Sequence, residues 1–160
     1  MLRISPTSVS NPQFIELVRH LDAYQSVLYP AESDYSTPLE KMADHEHYPF
    51  IAEIGEFAVG CACLFIGHNR LAEIKRVYVN ESYRGQNIAA ALMATIEAKA
   101  RQLALPRLYL ETGIDHLAAV RFYQKQGFQL TDCFGDYNYD PLSVYMVKPL
   151  GNLAPDRARR

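Results

Sequence analysis

Between Val77 and Ala90 the chain reads Val-Tyr-Val-Asn-Glu-Ser-Tyr-Arg-Gly-Gln-Asn-Ile-Ala-Ala: a strand that runs into a polar turn, and a turn that opens a long helix. The helix is expected over about Asn87 to Leu103. Ile88, Leu92 and Ile96 recur every fourth residue, Ala89 and Met93 lie beside them, and Pro106 follows as a stop. A helix N-terminus carries unpaired N–H groups and a partial positive charge. Such a turn is therefore a ready seat for a pyrophosphate. Arg84 adds a full charge, Gly85 lets the backbone come close, and Ala89, Ala90 and Ala91 keep the first turn uncrowded.

The remaining elements surround this unit. A short strand is expected over Leu2 to Ser5. Asn11-Pro12 then gives an N-cap with Pro at the first helical position, and Phe14, Leu17, Val18, Leu21 and Leu28 follow at helical spacing. Tyr29 to Thr37 reads as a loop, with a short helix after Pro38. Tyr48 to Ile54, Phe57 to Phe65 and Leu71 to Val79 read as a meander, with turns at Gly55-Glu56 and Gly67 to Arg70. Leu108 to Leu110 is a short buried strand. Asp115 is placed to cap a second helix holding Ala119, Phe122 and Tyr123, and Gly127 ends it. Phe128 to Phe134 and Leu142 to Val147 are the last expected strands. The order predicts a mixed α/β domain over 1–150, with helices on a central sheet. Residues 151–160, with Arg157, Arg159 and Arg160, are expected to form a solvated tail.

Composition excludes several classes. In 160 residues, 49% are hydrophobic and 21% charged, as in an ordinary globular domain, and the formal net charge of -2 leaves no broad footprint for nucleic acid. No apolar run reaches the roughly 20 residues that span a bilayer. The N-terminus has no apolar signal core, so a cytoplasmic protein without a membrane partner is expected. Cys61, Cys63 and Cys133 are an odd number without zinc spacing, and His45 and His47 have no third ligand placed by sequence. Cys61 and Cys63 are expected as buried packing on one strand face, and no metal is expected.

Two blocks carry a family resemblance. Arg84-Gly-Gln-Asn-Ile-Ala89 resembles the coenzyme A loop of the GNAT (Gcn5-related N-acetyltransferase) superfamily, Gln/Arg-x-x-Gly-x-Gly/Ala, with Asn87 where the family usually has Gly. Asn tolerates left-handed backbone and is also a good N-cap. Leu108 to Phe128 resembles the family's strand–helix unit ending in Tyr-x-x-x-Gly-Phe, with His116 where the family often has Asn. The blocks occur in the family's order and separation and together cover about Leu71 to Phe134. More loosely, Leu28 to Ser33 and Pro141 to Met146 resemble a bacterial subgroup. The resemblance implies a GNAT fold of about six to seven strands and four helices, splayed between the fourth and fifth strands. It implies acetyl-CoA as co-substrate. Its pantetheine would pair with main-chain groups of Val77, Tyr78 and Val79, and its pyrophosphate would rest on Arg84, Gly85, Gln86, Asn87, Ile88, Ala89 and Ala90. His116 and Tyr123 would complete the cofactor site.

Acetyl transfer to an amine needs a base for the ammonium proton, stabilisation of the thioester oxygen, and a proton for the leaving thiolate. By resemblance, Glu73 stands at the base position of one branch of the family and Glu111 at that of another. Each is also explained by structure alone, Glu73 by pairing with Lys75 or Arg76 and Glu111 by contacts at the sheet gap. Tyr123 is the candidate proton donor. The acceptor pocket is expected between the N-terminal helices and the last strands, at Tyr29, Glu32, Ser33, Tyr137 and Tyr139, with Glu32 suited to an ammonium. The absence of an acidic groove favours a small metabolite amine over a polyamine or lysine-rich tail. A homodimer would suit such a domain. Two other readings share the fold: a coenzyme A sensor without turnover, and a partner-binding module.

Overall fold

The computed structural model describes residues 1–33 and 37–151. Residues 34–36 of the expected loop, and 152–160 of the expected tail, lie outside the described residues. The strands are β1 (Leu2–Pro6), β2 (Glu46–Ile54), β3 (Phe57–Ile66), β4 (Ala72–Val79), β5 (Arg107–Gly113), β6 (Gln129–Thr131) and β7 (Ser143–Pro149). The helices are α1 (Pro12–Leu28), α2 (Leu39–Met42), α3 (Ile88–Gln102) and α4 (Leu117–Lys125). One seven-stranded sheet runs β1-β2-β3-β4-β5-β7-β6. Every neighbouring pair is antiparallel except β4 and β5. This is the mixed sheet, flanked by four helices, that the family resemblance implies.

Local chemistry explains most boundaries. Asn11 Oδ1 accepts from the Gln13 N–H at 2.8 Å, and Pro12 opens α1. Gly55 takes φ 61° in the β2–β3 turn. Gly127, at φ 99°, follows Gln126, the C-cap of α4. Two expectations change. Asp115 does not cap α4: the cap position belongs to His116, whose side chain makes no capping bond, while the Asp115 N–H donates to the Tyr29 hydroxyl at 3.0 Å. The strand expected over Phe128 to Phe134 shrinks to Gln129–Thr131, a segment at the sheet edge that pairs, among the described residues, with β7.

The sheet has two unlike faces. Against α3 and α4 lies a continuous apolar cluster that includes Leu64, Ile74, Leu92, Ile96, Leu108, Leu110 and Met146. Against α1 lies a smaller one: Phe14, Leu17, Val18, Ile51 and Cys61. The first turn of α3 crosses β3 at Gly60, where a Cβ would stand 2.9 Å from the Tyr78 carbonyl oxygen and 3.4 Å from both Ile88 and Leu92. The contact with the β4 carbonyl is too short for any Cβ, so glycine is required here by the neighbouring strand, with α3 packed directly above.

Two irregularities in β4 shape the centre of the sheet. Cys61 pairs with Tyr78 and Cys63 with Lys75, so Arg76 and Val77 together oppose Ala62. Arg76 is the bulged residue, at φ 59°. The extra residue resets the alternation of side chains. Val77 and Val79 therefore join the α3 side, while Tyr78 packs under α1. Beyond the bulge β4 leaves β5. Among the described residues one register pair joins them, Glu73 with Tyr109, at the start of both strands. Their C-terminal halves diverge into a cleft.

Candidate active site

The loop that ends the cleft has the expected form. Gly85 sits at φ 83° and Asn87 at φ 63°. A Cβ on Gly85 would meet nothing within 4 Å, so its backbone angle rather than crowding requires glycine. Asn87 occupies the cap position of α3 in left-handed conformation, and its side chain makes no capping hydrogen bond. The residue serves by its dihedral angle, not as the side-chain cap that Asn often provides. The cap side chain thus leaves the first-turn N–H groups unbonded, as an anion seat requires. Arg84 Nε donates to the Val79 carbonyl at 3.0 Å, which fixes the exposed side chain beside the end of β4. Gln86 is exposed, Ile88 anchors α3 in the core, and Ala89 and Ala90 are half-buried.

At the closed end of the cleft, Glu73 is 7% exposed. Tyr137 donates a 2.5 Å hydrogen bond to Glu73 Oε2, Lys75 Nζ stands 3.4 Å from the same oxygen, and Lys75 donates to the Tyr137 hydroxyl at 3.3 Å. Burial pushes the Glu73 carboxyl up from the ordinary carboxylate range, while Lys75 and Tyr137 partly offset it. Of the two suggested partners, Lys75 takes the role. Arg76 turns instead toward Asp22, at 4.0 Å, and donates to the Thr37 carbonyl. The triad faces a cavity of about 1070 Å³, walled by the starts of β4 and β5, by α2 and by the loop from Phe134 to Asn138.

Glu111 lies two positions beyond Tyr109 on the same strand, and Ser143 Oγ donates to its Oε2 at 2.7 Å. Burial raises its pKa, Ser143 lowers it, and the charge of Glu73 raises it again. The two carboxylates are therefore neighbours in one electrostatic cluster. Tyr123 lies on the other face of the sheet, 8% exposed, edge-on to Phe122 and Phe128. Burial drives its pKa far up, so the hydroxyl keeps its proton. His116 stacks on Tyr29 at 5.6 Å and meets Tyr24 edge-on. Burial lowers its pKa, so the imidazole is neutral around pH 7. Its Nε2 is buried without a hydrogen-bond partner.

The acceptor candidates separate. Tyr137 belongs to the Glu73 triad. Tyr29 lies at the end of β5, its ring where a side chain on Gly113 would be. Ser33 Oγ donates to Asp140 Oδ2 at 2.8 Å and ties the α1–α2 segment to the β6–β7 loop. Glu32 and Tyr139 are exposed. Lys75, Ser143, Tyr109 and Phe134 were not singled out as site residues. Ser143 becomes visible only through the β5–β7 pairing, which sets it opposite Gly113. Among the described residues no group of three or more His, Cys, Asp or Glu is placed to hold a metal ion, and no helix is long and apolar enough to cross a membrane.

Comparison with known proteins agrees with this geometry. The model of the acetyltransferase (GNAT) family matches residues 14–128. An IAA acetyltransferase of Azospirillum brasilense is 37% identical over 137 residues, 85% of this chain and 90% of its own length. A solved structure from Klebsiella pneumoniae, described as an acyl-CoA N-acyltransferase, superposes with a TM-score of 0.79 at 35% identity, covering 94% of this chain and 99% of that one. A Bacillus anthracis structure described as a streptothricin acetyltransferase in complex with acetyl coenzyme A gives a TM-score of 0.59 at 25% identity, covering 71% and 69%. With matching family model, close relatives and cleft, the chain belongs to the GNAT family and is an acetyl-CoA-dependent N-acetyltransferase.

Proposed function

We propose that the protein acetylates a primary amine of a small molecule by direct attack within a ternary complex, with Glu73 as base and Tyr123 as acid. The observation that carries this is the position of Glu73. It is a buried carboxylate at the point where β4 and β5 part, facing a cavity on one side of the sheet while the cleft opens beyond it.

Acetyl-CoA, when bound, supplies an activated acyl group on a sulfur leaving group. The chain supplies the rest. Past Glu73 the β4 main chain is not paired with β5, so Val77, Tyr78 and Val79 can accept an extended arm as a strand would. Arg84, Gly85, Gln86, Asn87, Ile88, Ala89 and Ala90 hold the pyrophosphate with main-chain N–H groups. The orphaned Nε2 of His116 supports a polar contact to the pantetheine. Glu73 takes the ammonium proton; its raised pKa brings it closer to the working range of a general base. The amine lone pair would then form the C–N bond as the C–S bond breaks, and Tyr123 would give its proton to the sulfur. The second proton shed by the nitrogen on becoming an amide would restore the Tyr123 hydroxyl through solvent, and Glu73 would release its proton to solvent. Glu111, bonded to Ser143 and raised in pKa by burial and by the charge of Glu73, is the second carboxylate of the cluster.

We infer a cytoplasmic enzyme with one domain over 1–150 and neither nucleic acid nor membrane as partner; size-exclusion with light scattering tests for a homodimer. The function itself is tested by calorimetric titration with acetyl-CoA, followed by thiol release over a panel of small amines. Binding with release on one acceptor class supports the proposal. Binding without release on any acceptor would leave a sensor, and no binding would overturn the proposal outright.

A further inference from the structure

The cavity beside Glu73 has the opposite charge balance from the chain around it. The chain carries 16 Lys and Arg against 18 Asp and Glu. The cavity wall carries Lys41, Arg70, Lys75 and Arg107 against Glu73 and Asp136. Lys75 is committed to Glu73 at 3.4 Å. Arg70 uses one guanidinium nitrogen on Glu46, at 3.0 Å. Neither Lys41 nor Arg107 forms an ion pair among the described residues. Asp136 forms none there either, so the unpaired charges are two cations to one anion, a balance that disfavours a simple diamine and favours a molecule carrying an anionic group.

The positions suit one molecule that meets both ends. Tyr109 is the β5 partner of Glu73, and Arg107 lies two residues earlier on the same strand face. Two residues of strand span about 7 Å, within the reach of an arginine side chain. An amine held at Glu73 can therefore present a carboxylate a few ångströms away to Arg107. Phe65, Tyr109 and Phe134 supply an apolar wall between the charges.

From this we infer that the acceptor is an amino acid-like molecule: an amine that also bears a carboxylate, held by Arg107 and Lys41 while its nitrogen faces Glu73. The inference rests on the acetyltransferase reading of the same site and narrows its substrate class. A guanidinium offers a two-pronged match to a carboxylate, and charged hydrogen bonds of this kind discriminate strongly against a neutral analogue.

The test compares an aromatic α-amino acid, its carboxamide and the corresponding decarboxylated amine as acceptors, by free thiol release at saturating acetyl-CoA. The acid should exceed the other two in kcat/KM by about tenfold or more. An arylacetate, which has the carboxylate but no amine, should inhibit competitively against the acid. Arg107→Ala and Lys41→Ala should each lower kcat/KM for the acid and pull the acid-to-amide ratio toward unity. Equal or better use of the carboxamide or the amine overturns the carboxylate inference and leaves the acetyltransferase standing. So does an acid-to-amide ratio that both variants leave unchanged. No thiol release from any of the three while another amine of the panel does release thiol overturns the carboxylate inference alone; acetyl-CoA binding with no release from any amine would overturn both readings.

Discussion

The two faces of the sheet divide the work of the molecule. On the α3–α4 face, apolar side chains of five strands and two helices form one uninterrupted cluster. On the other face, α1 covers only a short patch around Phe14 and Cys61, and the surface beyond it is polar: Glu73 and Lys75 bonded to Tyr137, and Glu111 bonded to Ser143. The strands are shared, and alternation sends Ala72, Ile74, Leu108 and Leu110 one way and Glu73, Lys75, Tyr109 and Glu111 the other. The difference teaches that one strand pair serves stability and chemistry at once, because period two separates the roles. Buried charge is tolerated on the site face only because each carboxylate has a donor.

The largest effect should come from the site face. Glu73→Gln should lower kcat by about a hundredfold to ten-thousandfold, while Glu111→Gln should cost far less, since its carboxylate is held by Ser143 and is absent from the wall of the cavity that Glu73 faces. Single-turnover assays with one acceptor read both. A larger loss in Glu111→Gln would move the base along β5 and redraw the site. On the other face, Ile96→Ala removes a fully buried side chain and should destabilise by about 2–5 kcal/mol, seen as a lower denaturant midpoint, with kcat of the folded enzyme nearly intact. If Ile96→Ala cost turnover as much as stability, the division between faces would fail.

A smaller effect is expected at the loop that joins them. Asn87 holds left-handed geometry without using its side chain as a cap. Asn87→Ala should therefore cost roughly 1 kcal/mol in stability and weaken acetyl-CoA binding by about fivefold. Asn87→Gly should bind as well as the parent or better. Calorimetry on the pair separates backbone strain from a side-chain contact: equal weakening in both would show that the Asn amide itself touches the cofactor.

How much of this was legible in the sequence follows the same divide. The α3 face was readable because Ile88, Leu92 and Ile96 recur at helical spacing, a local signal. Glu73, Glu111 and Tyr123 were reachable through their offsets from two motifs. The bulge was not, because Arg76 adopts a positive φ without being glycine, and only strand pairing reveals the extra residue. The contact of Tyr137 with Glu73 spans 64 residues and that of Ser143 with Glu111 spans 32. No periodicity encodes such meetings; they depend on β7 lying between β5 and β6. Asp115 had the chemistry of a cap, but its N–H is bonded to Tyr29, the residue that ends α1 far away in the chain.

The smallest predicted effect is the sharpest probe of the site face. Tyr137 donates to ionised Glu73 and so favours the charged form; burial opposes it and dominates. Tyr137→Phe deletes that donor and leaves burial less opposed, so the Glu73 pKa must rise further. A base works only when deprotonated. The acid limb of kcat/KM against pH should therefore move to higher pH in Tyr137→Phe, with a severalfold loss near neutrality that recovers under alkaline conditions. The acceptor's own ionisation contributes to the limb equally in both enzymes and cancels in the comparison. Lys75 remains to hold the carboxylate, so turnover at high pH should approach the parent value. A limb that stays in place with a uniform loss at every pH would assign Tyr137 to holding the acceptor rather than to tuning Glu73.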